Sequence, residues 1–239
     1  LPISVNAAAD NDTIIVGSGT YFEQLVIAGK NITIAGQGDT TVIKAPADPI
    51  EYESVGAGNR ASLITVTNAN SVTIQDIKVD GDGRGNQLEP GSIDFHGIAF
   101  INAGGVVDHV TVAGIRMSLD VNGHVSGVQQ GRAIYANNVD GSARTLTVSD
   151  NTVQDFQKNG IDLRGSNLIV TVSGNDITGN GATPTTAQNG IVILGPNGTV
   201  SGNTVSEVGY VVPEDAINPD SSSGILSYSS SGVTITGNA

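Results

Sequence analysis

The residues of this chain that could do chemistry lie in five short segments that share a β-rich opening. The segments read HGIAFI, RAIYAN, NGIDLR, NGIVIL and SGILSY, and they begin at His96, Arg132, Asn159, Asn189 and Ser223. Alternate residues of a strand face opposite sides. We therefore place the isoleucine at the third position of each segment inward and the fourth and sixth positions outward, and we assign the first position to the outward face as well. The outward positions then include His96, Arg132, Tyr135, Asp162 and Arg164.

Stacking of these segments, about 4.8 Å apart, would gather the outward side chains into one patch with Lys158 at its edge. Cationic groups there would neutralise the carboxylate of a uronate sugar and acidify its C5 proton, which a Tyr, His, Lys or Arg could transfer. We predict the catalytic residues Tyr135, Asp162, Arg164 and Arg132, and the substrate-binding residues His96, Lys158 and Arg84.

Within this patch, Asp162 would either orient Arg164 or take part in proton transfer. The alternative interpretation needs no site. Asp162 and Arg164 would then form a surface ion pair, which contributes little to stability, beside the solvated side chains of Tyr135 and His96.

A second signature follows most of the five segments and ends in a recurring asparagine. It reads TVSDNTV, TVSGNDI, TVSGNTV and TITGNA, and the asparagines are Asn151, Asn175, Asn203 and Asn238. A fixed strand signature at variable spacing indicates coils of one helix of strands, with loops of different length inserted. The asparagines would then form an amide ladder from coil to coil. Two earlier segments, TIQDIKV and TVAGIRM, carry Ile77 and Ile115 at this position.

An antiparallel sandwich is the alternative fold, although hairpins would not repeat one signature at such long intervals. The composition agrees with a solenoid, because 32 of 239 residues are glycine and only 4% are aromatic. The absence of cysteine excludes disulfides and thiol chemistry. A net charge of −13 disfavours nucleic acid as a partner. No apolar run is long enough for membrane insertion.

The repeats resemble those of the pectin-lyase-like superfamily of right-handed parallel β-helices. The resemblance is carried by the pattern NGI-x-L followed by TVSGN-x-I and by the opening segment from Asp12 to Ile43. It implies an all-β, single-stranded right-handed parallel β-helix of about seven or eight coils with long loop insertions. We expect residues 1–239 to form a single β-helix domain that is a fragment or processed piece of a longer chain.

A narrower resemblance is to the catalytic module of mannuronan C5-epimerases. VTIQDIKVDGDGRGN, beginning at Val72, is similar to an early-coil segment of that family, and NGIDLRG is similar to its catalytic strand. The resemblance implies a catalytic role for Asp162. This chain departs from the pattern at Asn159, where the family has Tyr, and at Arg164, where it has His. The following coil, NGIVILG, also lacks the expected acidic residue.

The segment DGDGRGN offers oxygen ligands at the alternating spacing of a calcium loop. Asp80, Asp82 and Asn86 are the candidate ligands, although Arg84 occupies a ligand position and a solvated glycine-rich turn is the alternative. No cofactor is required by this prediction, and Ca²⁺ is a candidate. Three long insertions, at 45–60, 81–94 and 209–222, could build a binding wall, since insertions in solenoids commonly share one face.

The sequence supports two functions. The first is an extracellular carbohydrate-active protein that binds an acidic polysaccharide and modifies it by lyase or C5-epimerase-like chemistry. The second is a non-catalytic β-helix, such as the shaft or passenger of a bacterial surface adhesin, spike or sheath. Both functions predict an extracellular or cell-surface location. We also expect self-association, or a further domain stacked on the C-terminal coil, because Ile225, Val233 and Ile235 have no following coil.

Overall fold

Three parallel sheets wind around one apolar core in the computed structural model, which describes residues 1–47, 52–55, 58–88, 93–212 and 221–239. Every coil places one strand in each sheet, in the order sheet 1, sheet 2, sheet 3. Sheet 2 has seven strands, so the described residues form seven coils and one further strand of sheet 1. The predicted right-handed parallel β-helix of seven or eight coils is confirmed.

The strands of the three sheets are named in chain order. Sheet 1 contains β1 (Thr13–Ile15), β4 (Thr33–Ala35), β8 (Val72–Gln75), β11 (Gly105–Asp108), β14 (Arg144–Ser149), β17 (Leu168–Ser173), β20 (Asn197–Ser201) and β23 (Val233–Thr236). Sheet 2 contains β2 (Gly19–Phe22), β5 (Thr41–Lys44), β9 (Lys78–Asp80), β12 (Thr111–Ala113), β15 (Thr152–Gln154), β18 (Asp176–Thr183) and β21 (Thr204–Tyr210). Sheet 3 contains β3 (Leu25–Ala28), β7 (Gly58–Thr67), β10 (Ile93–Ile101), β13 (Arg132–Asn137), β16 (Asn159–Arg164), β19 (Asn189–Leu194) and β22 (Ser223–Tyr228).

Three elements lie outside this pattern. Strand β6 (Tyr52–Val55) pairs antiparallel with β7. Helix α1 (Pro2–Ala7) packs near the N-terminal coil, and Lys30 donates hydrogen bonds to carbonyl oxygens at its C-terminal end. A single 3₁₀ turn, η1, spans Arg84–Gln87. Within the described ranges, no helix has both the length and the apolar character needed to cross a membrane.

Columns of aliphatic residues fill the core, because parallel pairing sets equivalent residues above one another. In sheet 3 the inward column consists of Leu25, Ile64, Ile98, Ile134, Ile161 and Ile191, all fully buried. Among the described strands, β19 pairs only with β16 and β22, and both pairings are parallel. The antiparallel sandwich is therefore excluded.

The predicted asparagine ladder is present at the bend between sheets 1 and 2. Each amide nitrogen donates to the next Oδ1, at 2.9 Å from Asn151 to Asn175, 2.7 Å from Asn175 to Asn203 and 2.8 Å from Asn203 to Asn238. The same Oδ1 atoms accept the backbone N–H of the preceding asparagine at 2.9–3.1 Å. Each rung therefore satisfies buried backbone and side-chain groups together.

The residue before each rung has a left-handed backbone, with φ of 54° at Asp150, 67° at Gly174 and 65° at Gly202. Glycine and aspartate tolerate this region better than most residues. This requirement explains the recurring pair Gly-Asn or Asp-Asn in the signature.

The prediction that Ile115 occupies the asparagine column is wrong. Ile115 lies after β12 in the connection to sheet 3, where it bridges Phe156. The residue in the column is Val110, whose backbone N–H donates to Oδ1 of Asn151 at 2.9 Å. The error arises because the pattern TVAG resembles TVSG, although the first belongs to sheet 2.

Long connections concentrate at one corner of the coil, between sheets 2 and 3. The three insertions at 45–60, 81–94 and 209–222 enter sheet 3 at β7, β10 and β22. Parts of them, namely 48–51, 56–57, 89–92 and 213–220, lie outside the described residues. A fourth connection, residues 114–131, leads into β13 at the same corner and was not recognised from the sequence.

The C-terminal coil leaves apolar surface partly uncovered. Ile225 and Val233 are partly buried against the core, and Ile235 is 46% exposed. Self-association, or stacking of a further domain on this coil, stays a prediction.

Replacement of Asn175 by Ala should lower the free energy of unfolding by roughly 1–3 kcal/mol, because buried donors and acceptors on both sides lose their partners. Chemical denaturation of both proteins measures the difference. Asn137→Ala is the matched control, since this half-buried asparagine lies on the outer face of β13. A loss of only a few tenths for Asn175→Ala would show that the ladder does not stabilise the fold.

Candidate functional site

The outer face of sheet 3 brings the predicted residues together in three columns. Strand pairing places His96 beside Arg132 and Arg132 beside Asn159. It places Tyr135 beside Asp162 in the next column, and Asn137 beside Arg164 in the third. These are the columns that the sequence predicts.

Simple alternation does not explain the outward direction of the first column, which contains His96, Arg132 and Asn159. Alternation would turn the first position of each segment inward, on the same side as the isoleucine at the third position. Pairing between coils skips the second position, which is Gly97 in β10 and Gly160 in β16. A Cβ at Gly97 would lie 2.6 Å from the carbonyl oxygen of the next coil, and one at Gly160 would lie 2.7 Å away. Gly97 and Gly160 therefore have no room for a side chain where the strand is irregular, and the irregularity leaves His96 stacked on Tyr135 of the outer face.

Asp162 is the centre of the site and is fully buried. Its Oδ2 accepts hydrogen bonds from Nε of Arg132 at 2.8 Å, Nη2 of Arg164 at 2.9 Å and Nδ2 of Asn159 at 2.6 Å. Its Oδ1 accepts from Nε of Arg164 at 2.8 Å. Arg132 also donates to Asp94, which precedes it by one coil. The carboxylate thus fixes two guanidinium groups.

Electrostatics keep Asp162 ionised. Burial alone would raise the pKa of its carboxyl, but the hydrogen bond from Arg164 and the charges of Arg132 and Arg164 outweigh burial and lower the pKa below the usual value. A carboxylate that already accepts four hydrogen bonds has little capacity to move a proton. Its position favours the orienting role over proton transfer, and it is not a surface pair.

Each of the two arginines keeps one terminal nitrogen available. Among the described residues, Nη2 of Arg132 and Nη1 of Arg164 make no hydrogen bond, whereas the other side-chain nitrogens of both arginines donate to Asp94 or Asp162. Neither nitrogen is a buried atom without a partner. Both residues line an open groove on the outer face. The free donors can therefore meet a planar anion such as a carboxylate.

Tyr135 lies beneath this pair, with only 3% of its surface exposed. Its ring stacks in parallel on the imidazole of His96, with centroids 4.4 Å apart. The guanidinium carbon of Arg60 lies 5.5 Å from the ring centre, and those of Arg132 and Arg164 lie 5.8 Å away. Cations at such distances are attracted to the aromatic face. Tyr135 therefore supports the arginines from below.

His96 is held neutral in this setting. Burial, followed by the positive charges of Arg132, Arg60 and Arg164, lowers the pKa of its imidazole well below the usual 6.5. Its Nδ1 lies 3.4 Å from Oγ of Ser62. Its Nε2 is buried and has no partner among the described residues.

The groove has a volume of about 410 Å³. It is lined by Gln129, Arg132, Lys158, Asn159, Arg164, Asn189, Val192, Leu194, Leu226 and Tyr228. Lys158 stands at its edge, as predicted, and donates to the carbonyl of Ala187 at 2.8 Å. Gln129, from the unrecognised connection, forms part of the wall.

Sequence reasoning missed the place of Asp94 and Arg60 in this cluster. The two residues are paired between β10 and β7, before the five repeated openings begin. An extension of the alignment by one coil toward the N-terminus reaches Ser62 at the first position, and Arg60 and Asp94 lie two residues before that position in their strands.

Arg84 lies apart from the groove. It belongs to η1, and its Nε donates to Asp82 at 3.0 Å. Its role in substrate binding stays a prediction.

The calcium candidates have protein partners. Asp82 also pairs with Lys44 at 2.8 Å, and hydrogen bonds and charge from Lys44 and Arg84 lower the pKa of its carboxyl against the opposing effect of burial. Asp80 accepts the backbone N–H of Asp82, and Asn86 accepts that of Ser118. A calcium ion would have to displace two cationic side chains, and its binding stays a prediction.

Among the described residues, the acidic and histidine side chains that converge within metal-binding distance belong to Asp108, His109 and Asp150. They lie at the bend between sheets 1 and 2, away from the groove.

Comparisons with known proteins agree with the fold. The family described as "Right handed beta helix region" matches residues 132–239. No curated protein matches the chain.

Two solved structures are similar at low identity. A native GH136 lacto-N-biosidase from Eubacterium ramulus has 13% identity and a TM-score of 0.48, and the match covers 99% of this chain and 51% of that one. A pectin methylesterase mutant in complex with a hexasaccharide has 13% identity and a TM-score of 0.45, with 97% and 84% covered. The chain thus spans about half the length of the lacto-N-biosidase. Neither likeness carries an argument about function.

Removal of the central carboxylate should destabilise the protein strongly. Asp162→Ala should lower the free energy of unfolding by about 3–5 kcal/mol, because two arginines lose their buried counter-charge. Asp140→Ala is the matched control, since Asp140 also pairs with an arginine, Arg144, but is itself exposed. Equal losses for both variants would contradict the central position of Asp162.

His96 should make stability depend on pH. Because its pKa is lowered in the folded protein, the unfolded chain binds the proton first as pH falls below the usual 6.5. Stability is therefore complete above this value and declines below it, by up to roughly 1.4 kcal/mol per pH unit. His96→Gln should flatten the profile between pH 7 and 5, as measured by denaturation at each pH. An unchanged slope would mean that His96 binds its proton over the same pH range in the folded and unfolded chains.

Proposed function

We propose that the groove on sheet 3 binds an acidic polysaccharide and holds one uronate carboxylate between Arg132 and Arg164. The observation that supports this most directly is the pair of guanidinium groups that share the buried Asp162 and keep free donors toward the groove. Donors fixed before binding lose little freedom when the ligand arrives. Arginine also matches the planar geometry of a carboxylate.

Local charge supports an anionic ligand in a protein whose net charge is −13. Arg60, Arg132, Lys158 and Arg164 lie at the site, and within the described part of the chain Asp94 and Asp162 pair with Arg132 there. Four of the ten basic residues of the chain thus gather on one face. An anionic ligand would therefore be attracted to this groove and repelled by the rest of the acidic surface.

The same arrangement supports chemistry at C5 of the bound uronate. Neutralisation of the carboxylate stabilises the negative charge that develops when a base removes the C5 proton. In a lyase, the electron pair then forms the C4–C5 double bond while the bond from C4 to the glycosidic oxygen breaks. In an epimerase, a proton returns to C5 from the opposite face. Tyr135 is our candidate for proton transfer, which requires its hydroxyl to reach C5 from beneath the two arginines, because the buried ring is not part of the groove lining. Asp162 positions the arginines.

The alternative, a structural shaft, would have a flat outer face on sheet 3. The groove and its wall at Gln129 and Lys158 favour binding over that alternative. An acidic polysaccharide of this kind is met outside the cell, so we place the protein at the cell surface or in the extracellular medium.

Loss of either arginine should weaken binding to acidic polysaccharides at least tenfold. Arg132→Ala and Arg164→Ala are compared with the parent protein by calorimetry on a panel of anionic polymers at fixed ionic strength. Arg144→Ala is the matched control, because Arg144 also pairs with an aspartate but lies in sheet 1. Unchanged affinity in both site variants, with folding intact, would leave the shaft as the function.

Catalysis is tested separately with Tyr135→Phe, which keeps the stack on His96 and removes the hydroxyl. Absorbance at 235 nm detects the unsaturated product of a lyase, and exchange of the C5 proton with solvent detects an epimerase. We expect activity to fall at least a hundredfold, with binding unchanged. Equal turnover in the variant would exclude Tyr135 as the proton-transfer group.

A further inference from the structure

The groove is chemically uneven along the helix axis. Its cationic side chains, Arg132, Lys158 and Arg164, come from coils near the middle of the chain. The next two coils contribute Val192 and Leu194 from β19, and Leu226 and Tyr228 from β22. The cationic half of the groove therefore ends at β16, and from β19 onward the lining is apolar except for Asn189 and the hydroxyl of Tyr228.

Strand register makes this boundary sharp. In one column Asp162 is followed by Val192 and then Leu226, and in the next Arg164 is followed by Leu194 and then Tyr228. Each step along a column is about 4.8 Å, which is close to the length of one sugar residue. A polysaccharide that lies along the axis would thus pass from charged to apolar surface within one or two residues.

The apolar half suits an uncharged sugar. Tyr228 is 66% exposed and Leu226 is 39% exposed, so both present surface to a ligand. An aromatic ring packs well against the C–H face of a pyranose, since that face is apolar. Lys158 reaches the carbonyl of Ala187 at the start of the β19 coil, and the chain has no Lys or Arg after Arg164, so a carboxylate over Leu226 and Tyr228 would lie one coil beyond these cations. It would lose hydration without gaining a partner, which is unfavourable.

We propose that the groove selects a mixed polysaccharide, in which a uronate bound at Arg132 and Arg164 is followed by an uncharged sugar over Leu194 and Tyr228. This proposal rests on the proposed function and adds the substrate class. A homopolymer of uronates would satisfy the charged half and leave a second carboxylate on the apolar half.

Calorimetry with two sets of size-matched tetrasaccharides tests the proposal. One set alternates uronate and neutral sugar, and the other contains uronate alone. We expect the alternating set to bind at least fivefold more tightly. Tyr228→Ala should weaken binding of the alternating set about tenfold and affect the homopolymer less than twofold. Phe22→Ala is the matched control, since Phe22 is 58% exposed on sheet 2.

A gain-of-function variant provides a second measurement. Leu194→Arg puts a cation beside Arg164 in the adjacent coil and should raise affinity for the homopolymer at least fivefold. Equal or tighter binding of the homopolymer by the parent protein, with no effect of Tyr228→Ala, would overturn the selectivity and leave the proposed function standing. Binding of neither set would overturn both.

Discussion

Parallel hydrogen bonding from coil to coil, in register, is the constraint on which the rest of the structure depends. It carries each residue above its counterpart, so one inward isoleucine becomes a column from Ile64 to Ile191. A slip of one residue would turn this column outward. The asparagine ladder opposes such a slip, because each amide bonds its counterpart in the next coil. The core and the ladder therefore fix the same register.

The outer face uses this register for a different purpose. Strand pairing places Tyr135 beside Asp162, and Arg132 and Arg164 meet at the same carboxylate. A buried ion pair is weak support for stability, since apolar residues of similar volume often serve as well. The ion pairs of Asp162 with Arg132 and Arg164 are better explained by binding, because they hold the hydrogen-bond donors in place before the ligand arrives.

The fold and the columns of the site could be predicted because the chain repeats and its strands stack in parallel. Residues at the same position of two successive repeats therefore become neighbours in the structure. The columns containing Arg132, Tyr135 and Asp162 could be predicted in this way. The burial of the side chains at the site could not be predicted from the sequence. Tyr135 is buried because His96 stacks on it and three arginines lie over it. Such packing between side chains of different strands produces no repeating pattern in the sequence. The connection at 114–131 was missed because a loop carries no strand signature, and Ile115 was misplaced because two sheets use similar tetrapeptides.

The concentration of long connections at the corner between sheets 2 and 3 has an evolutionary consequence. Loop closure becomes only slightly less favourable as a loop grows, by about 0.6 kcal/mol for each doubling of length. The exposed part of the connection, residues 118–123, can therefore lengthen or shorten without disturbing the asparagine ladder or the inward columns, whereas Ile115 at its start belongs to the core. The scaffold separates the part that must be conserved for folding from the part that meets ligands. Related proteins could diverge in specificity through this corner alone, with every coil of the scaffold retained.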